Sequence, residues 1–479
     1  MLILIKKSFL ILIFMLIFFN ISTDIFAQNF KQIKKNIGFN KLQQNNGAAV
    51  ADYDGDLDLD IFVVAKSRDL EFKEISKSRL FRNNSDGTFT DVTEKSKLTD
   101  LLFEDEVANE DSATDGFKNG VSWGDYDNDG FPDIFFTYTT KVQLFHNNKD
   151  GTFTDVTETA GIQKINNCSN TGATWFDANN DGFIDLYISD WESCDYNNFF
   201  LNNGDGTFTN SAASHFQKSK KPSYTSIPFD FNNDGWMDLY VTQDFEDHNE
   251  TFINQNGNSF IEQSSLYGMN HIGKDMGLTI GDYNNDGFFD FYITTINENV
   301  LFTNKGDNTF QDLAKENNVL DTGWSWGTIF ADFDLDGDED LFVANGYKEN
   351  TPVKERNFYF ENLYKQNENS FKDITANLGL NDLATSVTPI AFDYDNDGDL
   401  DLFVTNSDKA SIFYENKTID ENENLNWFQV ALKGTVSNRD AIGTTVSITT
   451  NSGKQHRYNA SITHLSQSLK PLHFGLASD

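Results

Sequence analysis

Twenty-five aspartates occupy fixed places in seven nine-residue segments of the form Asp-x-(Asp/Asn)-x-Asp-Gly-x-x-Asp, beginning at residues 52, 125, 177, 230, 282, 332 and 393. In such a segment the side chains at positions 1, 3 and 5 alternate inward and offer hard oxygen atoms. Position 7 offers its backbone carbonyl, and the aspartate at position 9 completes the shell. The candidate ligands are Asp52, Asp54, Asp56 and Asp60 in the first segment, and Asp125, Asp127, Asp129 and Asp133 in the second. Asp177, Asn179, Asp181 and Asp185 form the third set, with Asp230, Asn232, Asp234 and Asp238 the fourth. Asp282, Asn284, Asp286 and Asp290 form the fifth. Asp332, Asp334, Asp336 and Asp340, then Asp393, Asp395, Asp397 and Asp401, complete the series. An all-oxygen set of this number suits Ca²⁺, up to seven ions, whereas Zn²⁺ would want Cys or His, and none lies in these segments.

An EF-hand opens the same way but needs Glu at position 12 between helices. Here position 12 is Val63, Phe136, Ile188, Val241, Ile293, Val343 and Val404, all apolar and all in predicted strands. The EF-hand reading fails. The copies are not equivalent. Asn179, Asn232 and Asn284 lower the ligand charge of three segments, and Leu57 stands in the first where glycine is expected to permit a left-handed turn.

The elements that must hold these segments repeat with them. The spacings run from 50 to 73 residues, and about 50 residues is the size of one four-stranded propeller blade. In the second unit Gly120 to Tyr126 leads into the acidic segment. Ile134 to Tyr138 and Val142 to His146 are β-branched and aromatic runs, and Asp150-Gly151-Thr152-Phe153 opens a last one. Short runs punctuated by Gly, Asn and Asp indicate a β-meander. The last strand recurs at Phe89, Phe153, Phe208, Phe260, Phe310 and Phe371, six times for seven acidic segments. The seventh unit lacks it, and a match stands at the other end of the chain, Asn29-Phe30-Lys31-Gln32-Ile33. We therefore expect an all-β fold: a seven-bladed β-propeller closed by an N-terminal strand, followed by a small C-terminal β domain. An open solenoid would need capping units, whereas these two ends are complementary.

The 479 residues carry a formal net charge of −38, and seven Ca²⁺ would bring it to about −24. Much of the acidity is thus local ligand, and the balance excludes nucleic acid, whose phosphates need a basic footprint. Lys6 and Lys7 precede an apolar run from Phe9 to Phe19 and a polar stretch ending at Ala27. That is the form of a signal peptide over residues 1–27, too short for a membrane span, so a secreted or cell-surface protein is expected. Residues 28–425 then make the propeller and 426–479 the tail. Cys168 and Cys194 are symmetric about Asp181, so a hairpin closed by the third segment would bring them face to face. Bridged and free forms both remain open.

These residues resemble the FG-GAP/VCBS repeats of integrin α-subunit propellers and of many exported bacterial proteins, over residues 29–416. In the tail, Asn438-Arg-Asp-Ala-Ile-Gly443, Gln455, Arg457, Ser466-Gln-Ser468 and Leu472-His-Phe-Gly-Leu476 resemble the ASPIC/UnbV domain. Together they resemble the cartilage acidic protein family. The resemblance implies calcium binding at the segments above. That domain usually continues beyond the His-Phe-Gly-Leu stretch, so a tail ending at Asp479 reads as truncated.

In an up-and-down blade the acidic turns lie on one face of the ring, and length variation falls on the other, in 65–78, 189–198, 344–357 and 98–119. Variable loops on a rigid scaffold are where binding surfaces are built. Trp191, Glu192, Tyr196, Tyr347, Lys348, Lys354 and Arg356 are the first candidates for contact with an extracellular protein or glycan. The favoured reading is a monomeric recognition or adhesion module, not an enzyme. The alternative, a polysaccharide lyase on a calcium propeller, would want a convergent basic and carboxylate cluster. Instead the seven histidines, at 146, 215, 248, 271, 456, 464 and 473, are scattered between four units and the tail.

Overall fold

The computed structural model describes residues 30–479 except 34–36, 40, 41, 43, 66–76, 99–117, 139, 140, 163–168, 192, 193, 348–354, 367–369, 423 and 452. Most of loop 65–78, most of connection 98–119, Glu192, Lys348, Lys354, Cys168 and the expected signal segment therefore lie outside the described residues. Cys194 is disulfide-bonded.

Seven antiparallel sheets surround a central channel. In the first, Asn45–Ala51, Asp60–Ala65, Arg79–Asn83 and Phe89–Asp91 pair in that order from the inside outward. The innermost strands of the other blades are Lys118–Gly124, Asn170–Phe176, Ser223–Phe229, Leu278–Gly281, Asp321–Ala331 and Ser386–Phe392. Strands in second place, such as Asp185–Asp190, are buried at every residue, because both faces of a blade pack against its neighbours. The seventh sheet takes its outer strand from the N-terminus. Lys31–Gln32 pairs antiparallel with Ile412–Glu415, and the Ile33 N–H donates to the Phe413 carbonyl. Phe30 fills the place held elsewhere by the outer-strand phenylalanine, with its ring 5.5 Å from Phe333 and 6.0 Å from Tyr359. The ring closes as expected, with the N-terminal strand supplying the seventh blade's fourth strand.

Apolar clusters fill the wedges between consecutive blades. Between blades 1 and 2, for example, Tyr53, Trp123 and Phe153 meet with ring centroids 5.7 to 6.5 Å apart. Residues 296–298 of blade 5 add a further strand against the long inner strand of blade 6. No helix among the described residues is long and apolar enough to cross a membrane.

The tail follows as a C-terminal β region with two two-stranded sheets, Asn426–Val430 with Leu472–Ala477, and Thr445–Thr450 with Gly453–Tyr458. Its last hairpin, Ile462–Thr463 with Ser466–Gln467, enters the channel and pairs in parallel with the inner strand of blade 2. Every blade contributes to seating residues 462–470. Val50 N–H donates to Ser468 Oγ at 3.1 Å, and Val121 N–H to the Leu465 carbonyl at 3.1 Å. Gln467 accepts from Trp175 N–H at 2.7 Å and donates back to its carbonyl at 3.2 Å. His464 lies against the Tyr224 ring and hydrogen-bonds the Met276 backbone. Thr463 Oγ1 donates to the Thr328 carbonyl at 3.0 Å, and Thr388 Oγ1 to the His464 carbonyl at 2.9 Å. A polar hairpin fits here because the inner strands present backbone groups that their own sheets leave unpaired.

Candidate metal centres

All seven acidic segments lie between the first and second strands of a blade, hence on one face of the ring. Each folds around its position-1 carboxylate. In the second loop Asp125 accepts from Asp129 N–H at 2.9 Å and Gly130 N–H at 2.7 Å. Asp177, Asp230 and Asp282 do the same. Two residues per loop take the left-handed conformation. Position 6 is one, and Leu57 adopts it at φ 74° in the first loop. Position 4 is the other. It is Asn128, Asn180, Asn233, Asn285 and Asn396 at φ 53° to 60°, with Gly55 and Leu335 in the remaining two. The residue type at position 4 carries the signal, since Asn tolerates this region best after glycine. Asn128 and Asn180 also reach forward, each donating to the carbonyl of the next loop's glycine, Gly182 at 2.9 Å and Gly235 at 3.0 Å.

The position-9 aspartates are the most buried members. Asp60, Asp133, Asp185, Asp238, Asp290 and Asp340 are wholly inaccessible and Asp401 nearly so. Each accepts a backbone N–H from an asparagine that ends the blade's third strand: Asn83, Asn147, Asn202, Asn254, Asn304, Asn362 and Asn416, at 2.7 to 2.9 Å. These asparagines, read from the sequence only as turn residues, join blade to blade. Asn147 Nδ2 donates to the Tyr53 carbonyl of the first loop at 2.8 Å, Asn202 to Tyr126 at 2.7 Å, and Asn254 to Ala178 at 2.7 Å. In blade 5 the reach is made by Asn308, to Phe231. Asn362, Asn416 and Asn83 finish the circle on Tyr283, Phe333 and Tyr394. Each loop is thereby stitched to the next blade.

Three carboxylates converge in four loops, their oxygens within 4.8 Å of one another: Asp52, Asp54 and Asp60; Asp125, Asp127 and Asp133; Asp332, Asp334 and Asp336; Asp393, Asp395 and Asp401. Asp127 and Asp129 also converge with His146, a neighbour the pattern did not disclose. Position 5 is drawn outward in the first two loops. Asp56 pairs with Arg82 at 2.8 Å, which also holds Asp54 at 2.7 Å, and Asp129 pairs with Lys149 at 3.0 Å. In loops 3 to 5, Asn179, Asn232 and Asn284 donate to the position-5 carboxylates Asp181, Asp234 and Asp286 at 2.8 to 3.0 Å.

The electrostatics fit a cation. Asp54 Oδ1, Asp332 Oδ1, Asp393 Oδ1 and Asp395 Oδ1 are buried without a hydrogen-bond partner, a costly state for an acceptor unless something positive meets it. Burial pushes Asp60 up to about 9, Asp133 to about 8, and Asp125, Asp238, Asp282, Asp332 and Asp393 to about 7. Neighbouring carboxylates raise most of them further. A bound cation would reverse both effects.

The tail lies across this same face. Arg439 Nε is 3.2 Å from Asp125 Oδ2, and Asp440 accepts from Asp125 N–H at 2.8 Å. Gly475 N–H donates to Asp332 at 2.9 Å, Arg457 sits 3.3 Å from Glu339, and Ala477 N–H donates to the Leu335 carbonyl. Gln429 Nε2 donates to Asp393 at 3.2 Å. The Val436 carbonyl presses on Gly182, and the His456 ring on Gly287.

Comparison with known proteins agrees with this geometry. A family model described as FG-GAP-like repeat matches residues 52–136, 125–188, 177–241, 230–293 and 282–343, each match running from one acidic loop into the strand after the next. The chain belongs to the FG-GAP-like repeat family. The tail of this FG-GAP-like chain, residues 434–479, matches the ASPIC and UnbV model. Cartilage acidic protein 1 of Xenopus tropicalis is 32% identical over 141 residues, 29% of this chain, and the match spans only 21% of that relative's length. A lectin of Agrocybe aegerita, solved for specific recognition of non-reducing terminal N-acetylglucosamine, is 17% identical with a TM-score of 0.43, covering 77% of this chain and 87% of its own. The Tc holotoxin pore of Photorhabdus luminescens is 12% identical with a TM-score of 0.33, covering 78% of this chain and 18% of its own.

Proposed function

We propose that this FG-GAP-like ring is an exported calcium-binding recognition or adhesion module that engages an extracellular protein or glycan through the face opposite its metal loops. One observation carries the reading: the tail already covers the metal-loop face, which leaves the loop-bearing far face for a partner. Family membership supports a binding module rather than a catalyst, and the Xenopus relative supports an extracellular setting.

The ligands would be the side chains at positions 1, 3, 5 and 9 of each loop, with the position-7 carbonyl. Bound Ca²⁺ would supply fixed positive charge and no redox chemistry. The chain's own residues set the loop shape, through the position-1 hydrogen bonds and the left-handed pair at positions 4 and 6. Extracellular modules with such loops bind Ca²⁺ at about 10⁻⁴–10⁻³ M. At about 1 mM Ca²⁺ each filled site would then add about 0.4–1.4 kcal/mol, so several together match the stability of an ordinary domain.

The test is calorimetric calcium titration of chelator-stripped protein, followed by a glycan and protein binding screen with and without EDTA. Saturable, calcium-dependent binding without turnover supports the module. Release of unsaturated sugars from a polysaccharide panel would make the protein a lyase instead, and no calcium uptake would refute the metal reading.

A further inference from the structure

No His or Cys lies within the seven acidic segments, yet the folded ring brings an imidazole to one of them. The residue just before each asparagine that anchors a position-9 aspartate stands at the end of a blade's third strand. In blade 1 it is Arg82, whose guanidinium holds Asp54 and Asp56. In blade 2 it is His146, and elsewhere it is Leu201, Ile253, Thr303, Glu361 or Glu415. His146 Nδ1 stands 3.2 Å from Asp133 Oδ1 and 3.5 Å from Asp127 Oδ2. That nitrogen is buried without a hydrogen-bond partner, and the ring packs edge-on against Tyr126 at 6.1 Å. The tail's His456 and His473 come down on the glycines of loops 5 and 7 but join no converging carboxylate set among the described residues.

Two of the four carboxylates in this second loop are already paired with cations. Arg439 Nε is 3.2 Å from Asp125 Oδ2, and Lys149 Nζ is 3.0 Å from Asp129 Oδ2. The tail also sets Asp440 against Asp125, whose N–H it accepts at 2.8 Å. Ca²⁺ takes about six to eight oxygens and gains from their summed charge, so the pairing weakens this loop as a calcium site. A four-coordinate ion of borderline softness asks for less: an imidazole nitrogen with two or three carboxylate oxygens. Two donors at about 2.1 Å from a tetrahedral ion stand about 3.4 Å apart. The His146 separations of 3.2 and 3.5 Å bracket that value.

We propose that the second loop is a transition-metal site, selective for a divalent ion of the Zn²⁺ class over Ca²⁺. Its ligands are His146 Nδ1, Asp127 and Asp133, with Asp129 or water in the fourth place. The assignment rests on the metal-loop reading above and changes the ion at one of the seven loops. His146 ligates as the neutral ring, with its proton on Nε2. Asp129 comes free when Lys149, whose side chain is 46% exposed, swings off it. Arg82 cannot do the same in the first loop, because a guanidinium offers donors only. There it stands as a cation built into the chain.

The test uses the full chain, stripped with chelator and titrated calorimetrically with Zn²⁺ in an excess of Ca²⁺. Zinc retained after dialysis is counted by elemental analysis. We expect one retained equivalent in the parent. In His146→Ala and His146→Arg the zinc affinity should fall about a hundredfold or more, since losing even an outer-shell partner costs about 10–100-fold. The calcium heats of the other loops should stay unchanged. His146→Arg gives the second loop the guanidinium that the first already carries, so a folded variant is expected, and circular dichroism checks both. The parent alone gives a second readout. With isotope-labelled histidine, Zn²⁺ should shift the ring nitrogens of one histidine and Ca²⁺ those of none. Where the ring takes up calcium, three results each overturn the zinc assignment alone: no zinc retained, zinc retained equally by both variants, or no histidine shifted. Uptake of neither ion overturns it together with the metal-loop reading.

Discussion

Replacing Asn147 with alanine tests whether the ring is held by its stitched loops. The Asn147 side chain donates to the Tyr53 carbonyl at 2.8 Å and the Pro132 carbonyl at 3.1 Å, and accepts from Lys149 N–H at 3.0 Å. The residue is wholly inaccessible, so no water would replace what is lost. Three hydrogen bonds disappear, worth about 1 kcal/mol each, and two carbonyls are left unpaired at about 1 kcal/mol or more apiece where burial persists. We expect Asn147→Ala to destabilise the ring by about 3–5 kcal/mol. Its backbone N–H to Asp133 is retained in the variant, so the Asp133 anchor itself survives and the loss is confined to the side-chain bonds. The assay is scanning calorimetry at saturating calcium, with Thr152→Ala in the turn that follows as the control, expected to cost no more than about 1 kcal/mol because its hydroxyl bonds only Asp150 and Asn148 within that turn. If Asn147→Ala were as mild as Thr152→Ala, the inter-blade bonds would carry no weight and the stitched-ring account would be wrong.

Three further outcomes follow. EDTA should lower the melting temperature of the parent by many degrees, because chelation leaves clustered carboxylates, Asp52 with Asp54 and Asp60 or Asp332 with Asp334 and Asp336, facing one another unneutralised; an unchanged transition would refute metal stabilisation. Leu57→Gly should stabilise by about 1 kcal/mol, since Leu57 is 86% exposed and holds φ at 74°, where only the left-handed strain is removed; equilibrium denaturation showing a loss would contradict this. Burial holds His464 down to about 3, well below its unfolded value, so its stabilising contribution is full above about pH 6.5 and is lost as pH falls toward 3. Between pH 7 and 5 that amounts to about 2 kcal/mol. His464→Phe should therefore flatten the pH dependence of the melting temperature over that range, and an unaltered slope would sink the assignment.

The ring was legible because its parts repeat. Phe30 and Ile33 could be matched to the missing outer strand by side-chain pattern alone, and both take that place in the structure. The tail was legible as a family segment but not in its placement. Ser466, Gln467 and Ser468 look like any polar turn, and their partners are backbone groups on strands that in sequence lie hundreds of residues away. The metal loops were legible in their carboxylates, while Arg82 and His146, one strand further on, stood outside the nine-residue window. Asn147 and its counterparts, with Asn308 in the place of Asn304, sat in plain view in the turns after each third strand. Their reach to the adjacent loop depends on the curvature of the ring, which no linear pattern encodes.

The hairpin in the channel sets an order on assembly and on wear. Its full set of partners exists only when all seven sheets stand in a circle, so residues 462–470 act as an axle pin, locking a wheel whose rim is fastened by the strand Lys31–Gln32. No blade can splay outward without first drawing that pin. Cleavage near residue 425 should therefore shorten the lifetime of the native ring far more than its loss of buried surface alone would predict.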